Sequence, residues 1–119
     1  MCLLGTFSEY TVVPTASVVK VDETVPLDKA ALVGCGVTTG YGSTVNTGEA
    51  TAGSTVVVMG VGGVGINAVQ AARIVGARHI VALDPVEYKR TRAMEFGATH
   101  TAATVEEAAA LVIGLTRGQ

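Results

Sequence analysis

The strongest constraint on the fold is an uninterrupted run of mostly β-branched residues, STVVVM at positions 54–59, which passes directly into the glycine-rich turn GVGGVG at positions 60–65. A continuous β-branched run is typical of a strand in a parallel sheet that is covered on both faces. Residues 64–75 follow and place Gly65 and Ala68 on one helical face, and such small residues suit close packing on a sheet. This segment therefore predicts a strand, a tight turn and a helix.

The rest of the chain continues this alternation of strand and helix. The predicted elements are a buried strand at 79–83, an exposed helix over 87–95 that ends at Gly97, a short strand at 98–103, and a last helix that begins with a Thr104–Glu107 capping box. Alternating strands and helices predict the α/β fold class, with a partial doubly wound parallel sheet.

The first half of the chain carries weaker signals. Residues 7–21 alternate apolar and polar side chains and predict two short strands around Pro14. Residues 26–33 begin with a proline, which suits the first turn of a helix. The glycine-rich stretch that follows predicts a short helix or a tight turn near residues 36–46.

Length and composition limit the classes of function. The chain has 119 residues, which is one domain's worth and too little for a multi-domain enzyme, and its net charge of −2 gives no electrostatic case for nucleic acid or an anionic membrane. Two cysteines, Cys2 and Cys35, cannot form a disulfide scaffold, and we find neither a secretory signal nor a membrane span in the sequence. We therefore expect a cytoplasmic protein with reduced thiols.

The glycine-rich turn has the spacing G-x-G-x-x-G between a strand and a helix. In that context Gly60 permits the tight turn, Gly62 lets the backbone approach a pyrophosphate, and Gly65 lets the helix pack closely on the strand. Phosphates bind at the start of the helix, where backbone N–H groups and the helix dipole favour an anion. The motif predicts a dinucleotide site.

Asp84 ends the second predicted strand, about twenty residues after Gly65. A carboxylate there can accept from the ribose 2′-hydroxyl and would repel a 2′-phosphate, so it favours NAD over NADP. Lys89 lies near enough in sequence to contact the ribose or its phosphate. A purely structural alternative is a glycine-rich turn followed by an aspartate that caps the next helix before Pro85.

Cys35 lies between two glycines, and its residue type leaves three interpretations open: a metal ligand, a nucleophile, or a compact side chain in a crowded turn. His79 and His100 do not stand at metal-ligand spacing to a cysteine.

Four segments together resemble the zinc-containing medium-chain alcohol dehydrogenases, in both their order and their spacing. They are GTFSEYTVV at 5–13, LVGCGVTTGYGS at 32–43, GSTVVVMGVGGVG at 53–65 and DPVEYK at 84–89. The opening of the chain and DPVEYKR are most similar to the actinobacterial members that retain NAD tightly, the nicotinoprotein or nitrosodimethylaniline-dependent type.

The resemblance implies roles for named residues. Cys35 would be one ligand of a catalytic zinc, with the other ligands earlier in the parent enzyme, and Thr39 would lie beside the nicotinamide. The implied cofactor contacts are Thr39, Gly60, Val61, Gly62, Gly63, Val64, Gly65, Asp84 and Lys89. Zinc would bind the oxygen of a small primary alcohol while NAD receives its hydride, giving an aldehyde.

The resemblance also implies a division of the chain. Residues 1–25 would be the last strands of a GroES-like catalytic domain, residues 26–52 the connecting helices with the cysteine, and residues 53–119 the first half of a Rossmann NAD-binding domain. The chain would then be the central part of a longer, homo-oligomeric enzyme, inactive by itself, and by itself it would expose an apolar strand edge at VVVM. Two alternatives remain: a non-catalytic dinucleotide-binding module, and a zinc-free quinone reductase relative, which should lack Cys35.

Overall fold

The computed structural model describes residues 7–118. In chain order its elements are a 3-10 turn at Thr15–Ser17, α1 at Leu27–Leu32, a π-helical segment at Val33–Val37, α2 at Thr38–Gly42, a second π-helical segment at Ser43–Thr47, β1 at Thr55–Met59, α3 at Gly63–Ile74, β2 at His79–Leu83, α4 at Glu87–Phe96, β3 at His100–Ala102 and α5 at Val105–Thr116.

The three strands form one parallel sheet in the order β1-β2-β3. The register pairs Thr55 with His79 and Met59 with Leu83, so β1 and β2 end at the same edge of the sheet. This arrangement confirms the predicted α/β class and the three strands predicted after residue 53. It brings the turns that follow β1 and β2 side by side.

Helices pack on both faces of the sheet and bury β2 almost completely, which explains its continuous apolar run. Side chains of β1 and β2 pack on one face against α3 and α4, in a cluster that includes Val58, Val69, Ile80 and Ala93. The next residue of β2, Val81, points to the opposite face, where it packs with the strand residues and α5 side chains Leu83, Ala102 and Ala108. A sheet covered in this way selects apolar residues at every strand position.

Strand β1 lies at one edge of the sheet. Val57 and Met59 remain 40% and 72% exposed. The predicted apolar edge is therefore present in the chain, and such edges favour pairing with another strand.

The stretch from α1 through the second π-helical segment is continuous helix rather than two separate elements. Gly40 explains how this stretch packs on α3, because a Cβ there would lie 2.5 Å from the carbonyl oxygen of Val64 and 2.7 Å from the Cβ of Asn67. Thr44 strengthens the crossing, since its buried hydroxyl lies within hydrogen-bonding distance of the carbonyl oxygens of Gly40 and Ala68.

The two strands predicted around Pro14 are wrong. The described residues 7–25 contain no strand, and only the 3-10 turn interrupts their irregular path. Their apolar side chains are solvent-exposed, as at Phe7, Tyr10 and Val12. An alternating pattern forms a strand only where a neighbouring strand pairs with it, and the described part of the chain offers none to this segment. Cys2 lies outside the described residues.

The last helix begins nearly as its sequence predicts. The Thr104 hydroxyl accepts from the backbone N–H of Glu107. The carboxylate of Glu107 accepts from the N–H of Ala103, one residue before the cap, so the reciprocal bond of the capping box is shifted by one position. Among the described helices, none has the length and apolarity needed to cross a bilayer.

Candidate functional site

The turn between β1 and α3 requires glycine at both ends. Gly60 has a φ of +83°, a backbone conformation that side chains with a Cβ disfavour, and its N–H donates to the carbonyl of Leu83 at 2.8 Å. At Gly65 a Cβ would lie 1.9 Å from the carbonyl oxygen of Gly60. The first turn of α3 therefore rests directly on the backbone of the loop.

The start of α3 faces open space. Gly62 caps the helix without any side-chain hydrogen bond, and a Cβ added at Gly62 or Gly63 would meet no atom within 4 Å. Uncapped N–H groups at a helix N-terminus with room before them are the arrangement that accepts a phosphate. The backbone here thus fits the pyrophosphate of a dinucleotide.

Asp84 follows β2 immediately and lies against the glycine-rich turn. Its backbone N–H donates to the carbonyl of Ala102 at 3.2 Å, and its side chain is only 5% exposed. One carboxylate oxygen accepts from the N–H of Val86 at 2.9 Å, and the other accepts from the N–H of Val61 at 3.1 Å. Asp84 therefore ties the turn after β2 to the turn after β1.

These contacts favour the ionised carboxylate. The N–H of Val86 contributes most to holding the pKa of Asp84 below its ordinary value of 3.8; burial opposes this, and Val61 and Lys89 reinforce it. The Lys89 ammonium lies 3.7 Å from the same oxygen that Val61 contacts. The structural alternative raised for Asp84 is wrong in its role as a helix cap, because the N-cap of α4 is Val86 and has no side-chain cap hydrogen bond; the carboxylate accepts instead from the N–H of Val86 itself.

The predicted residues on the nicotinamide side come from three elements. Cys35 is exposed in the first π-helical segment, and Thr39 is exposed in α2. The segment with Cys35 reaches the glycine-rich turn, because a Cβ at Gly36 would lie 3.9 Å from the carbonyl oxygen of Gly63. Val64, on the first turn of α3, is 43% exposed. The structure thus brings the cysteine segment next to the start of α3.

A complete zinc site cannot be assembled from the described residues. Within residues 7–118, no three histidine, cysteine, aspartate or glutamate side chains are grouped so as to hold a metal ion. A tetrahedral catalytic zinc needs three protein ligands. Cys35 alone could supply one of them, so the part of the chain that the structure describes does not fit zinc by itself.

Two residues at the site were not singled out by sequence reasoning. Gly40 is one of several glycines in the stretch predicted as a short helix or tight turn, and its close approach to α3 is visible only in the helix crossing. Arg90 lies within the helix over residues 87–95 that the sequence predicts to be exposed, yet its guanidinium Nη1 donates to the carbonyls of Asp84 and Pro85 at 2.7 and 2.9 Å. The one sequence signal is its position in the first turn of α4, from which a long side chain can reach back to the end of β2.

A parallel sheet with a glycine-rich turn before a helix, and a carboxylate after the next strand, defines the class of α/β dinucleotide-binding domains. The sequence comparison makes the class more specific. The family described as zinc-binding dehydrogenase matches residues 63–119, and the similarity to named members extends over the whole chain. Residues 63–119 of the chain thus match the zinc-binding dehydrogenase family.

Similar proteins of known sequence are alcohol dehydrogenases. The NDMA-dependent alcohol dehydrogenase of Amycolatopsis methanolica is 56% identical over 119 residues, which are 100% of this chain and 32% of that protein. Alcohol dehydrogenase B of Mycobacterium tuberculosis (strain ATCC 25618 / H37Rv) is 51% identical over 118 residues, with 99% of this chain and 32% of that protein covered. The chain therefore spans about a third of the length of these relatives.

Solved structures show the same fold. The crystal structure of benzyl alcohol dehydrogenase from Acinetobacter calcoaceticus superposes with a TM-score of 0.76 at 36% identity, over 83% of this chain and 28% of that one. An alcohol dehydrogenase zinc-binding domain protein from Burkholderia ambifaria gives a TM-score of 0.77 at 38% identity, over 84% of this chain and 27% of that one.

Proposed function

We propose that this chain is the nucleotide-binding part of an NAD-dependent, zinc-containing alcohol dehydrogenase that oxidises a primary alcohol to an aldehyde. The observation that carries the proposal is the Asp84 carboxylate, buried at the end of β2 and bonded to the N–H of Val61 in the glycine-rich turn. This contact places the expected ribose-binding carboxylate beside the expected phosphate-binding backbone. Residues 53–119 would form the nucleotide-binding half-domain, and residues 26–52 would connect it to a catalytic domain that includes residues 1–25.

The pyrophosphate would bind at the start of α3. The backbone of Gly62 and Gly63 borders open space, and the N–H groups of the first helical turn point toward an incoming anion. The helix dipole adds favourable charge at this end. Val61 is buried and its N–H is taken by Asp84, so we expect its contribution to be the shape of the turn rather than a direct bond to phosphate.

The adenosine ribose would bind at Asp84 and Lys89. An ionised carboxylate with its two oxygens held by backbone N–H groups still has lone pairs for a ribose hydroxyl. Its charge opposes a 2′-phosphate, which supports NAD rather than NADP as the cofactor. The Lys89 side chain, 46% exposed and 3.7 Å from the carboxylate, is free to extend toward the outer ribose hydroxyl.

The nicotinamide would lie on the side of α3 that faces the cysteine segment, near Thr39 and Val64. NAD, when bound, supplies the carbon that receives the hydride of the alcohol. The chain's own residues would bind and orient this cofactor. The glycine-rich turn and Asp84 would hold the two ends of its adenosine diphosphate half, and Thr39 and Val64 would limit where the nicotinamide ring can lie. Cys35, exposed beside this region, would contribute one zinc ligand.

The remaining expectations on partners extend the proposal. The substrate would be a small alcohol or its aldehyde, with no nucleic acid and no membrane as partner, in the cytoplasm. The exposed apolar edge of β1 at Val57 and Met59 supports burial against further protein in a homo-oligomeric enzyme.

Isothermal titration of the full chain with NAD and with NADP tests the proposal. We expect saturable binding of NAD that is at least about tenfold tighter than that of NADP. Binding of neither dinucleotide, or tighter binding of NADP, would contradict it.

A non-catalytic dinucleotide-binding module is the second candidate. It is favoured by the absence of a three-ligand metal group within residues 7–118. Alcohol-dependent formation of NADH together with one equivalent of zinc, measured in the longer parent protein that contains this chain, would support the dehydrogenase. Dinucleotide binding by that parent protein without turnover or zinc would support the module.

A further inference from the structure

Arg90 holds the backbone on the carboxyl side of Asp84. It lies in the first turn of α4 and is half-buried. Its Nη1 donates to the carbonyl of Asp84 at 2.7 Å and to the carbonyl of Pro85 at 2.9 Å. Both carbonyls belong to the turn where the chain leaves β2. A guanidinium donor shared by two carbonyls fixes the direction of both peptide planes.

The amino side of Asp84 is held separately. Its N–H donates to the carbonyl of Ala102 in β3. Pro85 has no N–H to offer, so Arg90 is the only described partner that holds the two carbonyls of this turn through a side chain. The peptide groups on both sides of Asp84 are thereby fixed, one by the sheet and one by Arg90.

The direction of the carboxylate depends on this turn. One oxygen of Asp84 accepts from the N–H of Val86, which lies within the same turn that Arg90 holds. If the Arg90 bonds are removed, the peptide planes after Asp84 can rotate, and the Val86 N–H moves relative to the carboxylate. The second oxygen would remain bonded to Val61, so the carboxylate would lose its orientation rather than its place.

We propose that Arg90 is a positioning residue for ribose selectivity, acting through Asp84. The inference rests on the proposed function, in which the Asp84 carboxylate accepts a hydrogen bond from the ribose 2′-hydroxyl and must be oriented to do so. A hydrogen bond to a hydroxyl depends on the direction of the acceptor, whereas repulsion of a phosphate depends mainly on distance. Loss of Arg90 therefore weakens NAD binding more than it relieves the repulsion of NADP.

The test compares dissociation constants of NAD and NADP for Arg90→Ala, Arg90→Lys and the matched control Arg92→Ala in the full chain. Arg92 lies on the same helix, but its side chain pairs with Glu95 on the surface. We expect Arg90→Ala to weaken NAD binding about fivefold with little change for NADP, as for the loss of a charge-assisted hydrogen bond. Arg90→Lys, which keeps one donor group, should recover part of the loss, and Arg92→Ala should leave both constants unchanged.

The same measurement in an Asp84→Ala background shows whether Arg90 acts through the carboxylate. There the Arg90→Ala substitution should no longer change the ratio of the two dissociation constants. If Arg90→Ala leaves the ratio unchanged in the chain that retains Asp84, including by an equal loss of affinity for NAD and NADP, the assignment of Arg90 is overturned but the proposed function is not. If the unsubstituted chain binds no NAD, the proposed function itself fails. If Arg90→Ala does not fold, Arg90→Lys tests the assignment instead, and we expect it to change the ratio of the NAD and NADP dissociation constants in the same direction by a smaller factor.

Discussion

Substituting Gly65 by alanine should separate the packing role of the glycine-rich turn from its binding role. A Cβ at Gly65 would lie 1.9 Å from the carbonyl oxygen and 2.9 Å from the carbonyl carbon of Gly60. Ordinary contact begins near 3.4 Å, so α3 and the loop would have to separate by about 1.5 Å.

The magnitude follows from what would have to move. The clashing atoms are backbone, and Gly60 is anchored to β2 through its bond to Leu83. Inserting one methyl group into a well-packed interior costs about 1–3 kcal/mol, and a clash with anchored backbone belongs at the upper end, about 3 kcal/mol. The melting temperature should fall by about 10 °C or more.

Gly62→Ala provides the matched comparison. A Cβ there would meet no protein atom within 4 Å, so stability should change by less than about 0.5 kcal/mol. The added methyl would instead occupy the space proposed for the pyrophosphate, and NAD affinity should fall about tenfold or more.

Urea unfolding followed by circular dichroism gives the stabilities, and calorimetric titration gives the affinities. The reasoning is refuted if Gly65→Ala is as stable as the parent chain. A Gly62→Ala chain that binds NAD with unchanged affinity would refute the placement of the phosphates.

Further predictions concern the residues around the turn. Asp84→Ala should lower the preference for NAD over NADP about tenfold, measured as the ratio of dissociation constants. The N–H of Val86, and secondarily that of Val61, lowers the pKa of Asp84 below 3.8, so the folded chain binds fewer protons at Asp84 than the unfolded chain does. The ionised carboxylate therefore adds to the free energy of unfolding above about pH 4, and this contribution is lost as the pH falls through the lower pKa of the folded state. Asp84→Asn should flatten that acid-side loss in urea unfolding measured between pH 2 and 5, and an identical pH profile would count against the contact. Cys35→Ala should reduce the zinc content of the full protein while leaving NAD affinity unchanged, and unaltered zinc by elemental analysis would remove Cys35 from the ligand set. Gly40→Ala should destabilise the chain by about 2–3 kcal/mol through its clash with α3, and unaltered urea unfolding would contradict that packing.

The sheet and its helices could be predicted because their signals are local. The strand at 79–83 is apolar at nearly every position, as required of a strand covered by α3 and α4 on one face and α5 on the other, and the β-branched run at 54–59 forms β1 beside it. Gly97 ends α4 in a left-handed conformation, with a φ of +118°. Helix stop signals of this kind lie in a few adjacent residues, so they can be recognised without knowledge of the tertiary structure.

The strands predicted at 7–21 failed because their formation depends on something outside the segment. Alternation shows that one face could be buried, but a partner strand is required to bury it. The glycine-rich stretch before β1 predicts a short helix or a tight turn near residues 36–46, and the structure has helix there; the pattern gives no sign that Gly40 serves the close crossing with α3.

The candidate site could be predicted only in part from the sequence. The spacing of the glycines and Asp84 predicts where a dinucleotide binds, but not that Asp84 itself fastens the turn through Val61. That bond crosses from one βα turn to the next and exists only because β1 and β2 end in register. Arg90 was missed for another reason, because its partners are nearby backbone carbonyls whose direction no residue type reveals.

The most direct test of the account is a titration of the 119-residue chain with NAD, followed by the amide resonances of the backbone. We expect saturable shifts, largest at Gly62 and Gly63 where the backbone faces open space, with accompanying shifts at Val61 and Val86 as the Asp84 carboxylate binds the ribose. Shifts confined to other parts of the chain, or no saturation at millimolar NAD, would contradict it.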